Sequence, residues 1–165
     1  SESARAASAT EARFRVDAPN SRPRAIKVIA LDRESEAVVK QLAKSGFTNA
    51  SFLTTLGEPP RGEPFSMSGW LGDLAGHTKN LVDEIDSADL VVMIATAGKN
   101  TEAASIIGEA CSLKSVMTTA LVIAAPTVSD AALAQSLAHL RPWALMLVVA
   151  SADDYIADML TALRA

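Results

Sequence analysis

The sequence predicts an α/β protein: a Rossmann-like, doubly wound three-layer sandwich around a mainly parallel sheet of about five strands. Two observations carry this. Five short runs are apolar throughout instead of alternating with polar residues, which marks strands buried on both faces. Helical segments follow them, and strands separated by helices form parallel sheets with right-handed crossovers. The composition agrees, since 49% of the 165 residues are hydrophobic and only 4% aromatic, so the core must be aliphatic. A chain of this length can bury roughly 70% of its unfolded surface.

Residues 1–24, SESARAASATEARFRVDAPNSRPR, read as an N-terminal arm with Phe14 and Val16 as its only sizeable apolar groups; residues 25–165 read as one α/β domain. AIKVIALD (25–32) is the first strand, rich in β-branched residues. Asp32 can cap the helix that follows, where Val38, Val39, Leu42 and Ala43 share a face. Gly46 closes that helix in the left-handed conformation. ASFLTTL (50–56) is the second strand. A Gly- and Pro-rich stretch, 57–77, shows no period, and Thr78 opens a short helix with Leu81, Val82 and Ile85 inward. DLVVMIATA (89–97) is the third strand, and GKN leads into the helix TEAASIIGEACSLK. VMTTALVIAAP (116–126) is the fourth, stopped by Pro126. Ser129–Leu140 is helical, with Leu133, Leu137 and Leu140 on one stripe, and Pro142 ends it. ALMLVVA (144–150) is the fifth strand. Ser151 and Asp154 form a capping box for a last helix that buries Tyr155, Ile156, Met159 and Leu163.

Charge and cysteine content narrow the function classes. A net charge of −4 argues against gripping nucleic acid or an anionic membrane by bulk electrostatics, and the cluster Arg22, Arg24 and Lys27 reads as a solvated edge. The single cysteine precludes an internal disulfide and suits a reducing compartment. No apolar run approaches the ~20 residues of a membrane span, and no signal-peptide core opens the chain. A soluble, cytoplasmic protein is expected. The arm is expected to pack on a neighbouring subunit, giving a homo-oligomer.

Open parallel sheets bind ligands beyond the carboxyl ends of their strands, where the strand order reverses. Two loops would meet there: Leu31–Ser35 after the first strand and Thr96–Thr101 after the third. The second, Ala97-Gly98-Lys99-Asn100-Thr101, turns from a strand into a helix N-terminus, where backbone N–H groups and the helix dipole favour anions. Lys99 adds charge, and Gly98 lets the backbone approach closely. The first loop places Asp32, Arg33, Glu34 and Ser35 where a phosphate fingerprint needs glycines. Asp32 is a possible acid or base. An acidic phospho-receiver pocket would need a second Asp at the end of the third strand, where Thr96 stands. No Walker spacing, nucleophile elbow or zinc spacing is present. His77 and His139 lie far apart in sequence, and Cys111 belongs on an apolar helix face; no metal is expected. Trp70, beside Gly69 and Gly72 in the long stretch, is a further candidate contact. The candidate ligand-binding set is therefore Asp32, Ser35, Trp70, Thr96, Ala97, Gly98, Lys99, Asn100 and Thr101.

The order of pieces resembles the GTPase domain of the FtsZ and tubulin family over residues 25–126. IKVIALD is similar to that family's first strand. GWLGDLAGHTKNLVDEI resembles its Gly-rich loop and helix, and ADLVVMIATAGKNTEAASIIGEACSLKSVMTTALVIAAP its third strand, signature loop, helix and next strand. The resemblance implies a nucleotide at the strand ends. AGKNTEA in place of the glycine-rich signature speaks against GTP and against GTPase activity. The cofactor is left open.

Two functions follow. The favoured one is a non-catalytic binding or assembly domain, a truncated FtsZ-like scaffold. The alternative is an enzyme or sensor that binds a small phosphorylated or anionic ligand at the ends of the first and third strands.

Overall fold

The structure, a computed structural model, describes residues 24–55, 70–151, 153–163 and 165, and of Trp70, Asp153 and Asp154 the backbone alone. The N-terminal arm up to residue 23, Leu56 at the end of the expected second strand, residues 57–69 of the long stretch and the side chain of the Asp154 cap lie outside the described residues.

The elements run β1 (Ile26–Ala30), α1 (Arg33–Ala43), β2 (Ala50–Thr54), β3 (Trp70–Asp73), β4 (Thr78–Asn80), α2 (Leu81–Asp86), β5 (Leu90–Thr96), α3 (Glu102–Leu113), β6 (Met117–Ile123), α4 (Asp130–Leu140), a 3-10 turn (Arg141–Trp143), β7 (Met146–Ala150) and α5 (Asp153–Ala162). They form one seven-stranded sheet in the order β4-β3-β2-β1-β5-β6-β7. The five expected strands are β1, β2, β5, β6 and β7, all mutually parallel. Numbered among themselves they run 2-1-3-4-5, the flavodoxin-like order, which reverses between β1 and β5. β3 and β4 extend the β2 edge as an antiparallel hairpin.

That hairpin corrects the aperiodic reading of the stretch up to His77. WLGD and TKN are too short, too polar and too interrupted by Gly72 to show a period of two. What builds them is the turn. The Asp73 carboxylate accepts the Ala75 and His77 backbone N–H groups at 2.9 and 2.8 Å and meets His77 Nδ1 at 3.1 Å. Gly76 sits at φ +88°, a conformation that glycine adopts without strain. The helix expected from Thr78 therefore starts at Leu81, where the Asn80 side chain accepts the Asp83 N–H. Leu81 and Ile85 are buried as expected, whereas Val82 is 44% exposed.

One face of the sheet is covered by α2, α3 and α4, around Ile85, Ile107, Cys111 and Leu140. The other is covered by α1 and α5, around Val39, Leu42, Ile156 and Leu160. The central strand β5 is buried between them, with Val91 through Ala95 at 0% exposure. Tyr155 is not part of this core; it is half exposed, and Leu160 takes the inward position one turn after Ile156. Lys27 is not a solvated edge either: its side chain is 12% exposed and pairs with Glu84 at 2.9 Å. Among the described residues, no helix is long and apolar enough to cross a membrane.

Candidate functional site

β1 and β5 lie side by side, Ala30 opposite Ile94, and the Leu31 N–H donates to the Ile94 carbonyl at 2.9 Å. The chain then splits: the α1 loop turns to one face of the sheet and the α3 loop to the other. Asp32 holds the split together. Its Oδ1 accepts the Ser35 N–H at 2.8 Å and the Thr96 hydroxyl at 2.9 Å, and its Oδ2 accepts the Thr96 N–H at 2.7 Å. Ser35 returns the cap by accepting the Asp32 N–H at 3.1 Å. Asp32 is 6% exposed and Ser35 is fully buried. Three of the expected site residues, Asp32, Ser35 and Thr96, thus meet, with Ala97 following directly, but the carboxylate expected to act as acid or base is committed to a clasp between strand ends.

Beyond Thr96 the turn is tight. Gly98 takes φ +82°, its N–H donates to Ser136 Oγ at 2.9 Å, and the Lys99 N–H returns to the Thr96 carbonyl at 3.0 Å. Asn100 Oδ1 accepts the Glu102 N–H at 2.8 Å. Thr101 occupies the cap position of α3 without capping it; its hydroxyl, in a residue 6% exposed, faces His139 Nδ1 at 3.2 Å. Ser136 and His139 share the polar side of α4, three residues apart.

Lys99 reaches back over the split to Glu34, Nζ to Oε1 at 3.0 Å, with both side chains half exposed. The Lys99 hydrogen bond holds the Glu34 carboxyl below its usual range. Such an exposed pair is worth little and is easily exchanged for another partner.

Two clefts flank this lysine. One, of about 270 Å³, lies directly over the split and is lined by Asp32, Arg33, Glu34, Thr55, Lys99 and Asn100, among others. The larger, of about 530 Å³, opens between α3 and α4 and is lined by the Gly98–Glu102 turn together with Ser105, Gln135, Ser136, His139 and Trp143. Lys99 and Asn100 line both. The α4 residues were absent from the expected set, because the crossover from β6 brings them over the turn and only the fold reveals that. Their one sequence signal is helical spacing: positions 135, 136 and 139 lie off the Leu133–Leu137–Leu140 stripe.

The remaining candidates stand apart. Trp70 pairs by its backbone with Asn80 at the far edge of the sheet, and its side chain lies outside the described residues. His77 belongs to the hairpin turn. Cys111 is 1% exposed, and burial pushes its thiol up to about 11. Among the described residues, no three His, Cys, Asp or Glu side chains gather where a metal could be held.

No family model matches the chain, and no curated protein matches it in sequence. Among solved structures, the chain is similar to a flavoprotein from Lactobacillus acidophilus NCFM, determined in complex with FMN. The TM-score is 0.51 at 8% identity, covering 84% of this chain and 99% of the other. The likeness shows the fold. It also overturns the resemblance to FtsZ and tubulin, and with it the truncated scaffold. The segments that suggested that family are chiefly buried parallel strands, whose apolar runs any sheet of this kind shares. The segment read as its Gly-rich loop is the β3–β4 hairpin from Trp70 onward.

Proposed function

We propose that the protein binds a small anionic ligand, of the phosphorylated class, at the C-terminal edge of the sheet over the Gly98–Thr101 turn. The observation that carries this is the position of Lys99 at the point where the strand order reverses, on the ridge shared by two clefts. Among the described residues, its charge is held only by an exposed pair with Glu34.

A similar fold that binds FMN supports the reading as to place, since in this strand order FMN sits at the reversal. The residues after β1 do not fit the phosphate of such a ligand. Asp32 and Glu34 present carboxylates there, and the Ser35 N–H already donates to Asp32. The ligand's anion is therefore assigned to the β5 side, with its body in the larger cleft against His139 and Trp143. FMN itself is one probe among several. Asp32 serves as a strut, so the protein reads as a binding or sensing domain, and we place it in the cytoplasm on the same argument as its lone buried thiol.

Thermal shift tests this, with inorganic phosphate, FMN, nucleotides and sugar phosphates. A ligand at 100 times its Kd adds ~2.7 kcal/mol, which in a domain of this size raises Tm by roughly 5–10 °C. Lys99→Ala should remove a charge-assisted bond worth ~1.5–3 kcal/mol and weaken binding at least tenfold. Glu34→Gln, by releasing Lys99, should strengthen it. A panel without any shift, or a shift indifferent to Lys99, contradicts the proposal.

A further inference from the structure

The two edges of the sheet differ in kind. β4 is three residues long, Thr-Lys-Asn, and its polarity is what keeps an edge from recruiting another strand. β7 is Met-Leu-Val-Val-Ala, pairs only on its β6 side among the described residues, and carries no charge, proline or bulge. Its apolar groups are open to water: Met146 is 42% and Val149 44% exposed, and Leu145 just before it 79%. The nine residues from Trp143 to Ser151 contain no charged side chain, in a chain of net charge −4.

We infer that β7 is a self-association edge, pairing antiparallel with β7 of a second copy across a two-fold axis and continuing the sheet through both molecules. Four arguments select a second copy. A two-fold contact needs a surface complementary to itself, and an antiparallel strand edge meets this through its own N–H and C=O groups. Charge allows it, because the strip along the strand is neutral in a chain of net charge −4, so the pairing edges themselves do not repel. Among the described residues the other edge offers no equivalent strand, and a two-fold contact closes as a dimer and does not propagate. Area also fits: a stable interface needs about 800 Å² from each partner, more than five strand residues supply. The same axis brings α4 against its copy on one face and α5 against its copy on the other. The α4 segment Ala131–Ala138 is uncharged, and α5 offers the half-exposed Tyr155. This inference is independent of the ligand site, which lies at the strand ends.

Light scattering coupled to size exclusion on the full chain tests it. The expected mass is twice the 17.2 kDa of the chain. Val149→Lys, which puts a charge into the pairing edge, should give a monomer with unchanged circular dichroism. Leu145→Glu changes a side chain that is 79% exposed, leaves the backbone bond from the Leu145 N–H to the Thr118 carbonyl in place, and should do the same. A wild-type monomer overturns the proposal, as does a dimer that survives both substitutions. If Phe14→Asp with Val16→Asp gives a monomer while the β7 variants remain dimers, the contact belongs to the N-terminal segment and the β7 assignment fails.

Discussion

Asp32 shows how much one side chain can hold. As cap of α1 it could be named from the sequence, but two of its three accepted bonds go to Thr96, 64 residues away. Replacing it with Ala removes a helix cap, worth ~1 kcal/mol, and strands the Thr96 N–H and hydroxyl, each costing ~1–3 kcal/mol. A loss of roughly 3–7 kcal/mol on that arithmetic should lower Tm by about 6–28 °C. A Tm within a degree or two of wild type would show that the clasp is dispensable. Gly108 is constrained in another way. A methyl there would lie 2.5 Å from Trp143 Cβ, an atom fixed by the backbone, so Gly108→Ala must move the 3-10 turn that carries Trp143 away from α3. The expected cost is ~1–3 kcal/mol, together with altered tryptophan fluorescence. Cys111, with its raised pKa and near-zero exposure, should resist thiol reagents at pH 8 in the folded protein and react once it is unfolded. Because folding raises this pKa, the folded state holds its proton longer. The group's effect on stability is nil below about pH 9 and turns unfavourable as pH rises toward 11.

At the scale of elements, the legible parts are those whose pattern is local. The five parallel strands announce themselves as apolar runs because both faces are covered. α1 and α4 show their caps and apolar faces within a dozen residues, and α3 its apolar face. The β3–β4 hairpin does not, since it depends on one aspartate gathering three donors across a turn. Its Asp73 carboxyl is held below its usual range, first by the His77 N–H and then by the His77 ring and the Ala75 N–H. A lowered carboxyl pKa contributes stability above its unfolded value, near 3.8, which is lost as the pH falls through the folded one. Acidification from pH 6 to 3 should therefore lower the protection of the Ala75 and His77 amides, taken relative to their intrinsic exchange rates, before it touches that of the β1–β5 ladder. Equal protection of both would contradict this account of the hairpin. Val82 and Tyr155 were misplaced for a related reason: each lies on a short helix, where one residue of phase decides between core and solvent.

At the scale of the molecule, the α/β class is within reach of the sequence, but the strand order is not, so the reversal between β1 and β5 follows only if the first and third strands are taken as neighbours, and the occupants of the site are only half legible. The turn from Ala97 to Thr101 is contiguous and readable. Ser136, His139 and Trp143 arrive over it through the crossover of α4, which no local pattern encodes. The likeness to FtsZ and tubulin failed at this scale as well, because it compared buried strands and not the loops that distinguish one such fold from another. The same whole-molecule view sets the two sheet edges against each other and leaves β7 as the surface to be covered.

The central claim is that an anion is bound at the C-terminal end of β5. Amide chemical-shift mapping on the folded chain tests it most directly, titrating inorganic phosphate, then FMN and a sugar phosphate, at constant pH and ionic strength. The account predicts saturable shifts concentrated at Gly98 to Thr101 and at Ser136 and His139, reduced at least tenfold in affinity by Lys99→Ala. Shifts that centre on another part of the sheet, or none beyond those of a matched chloride control, would contradict it.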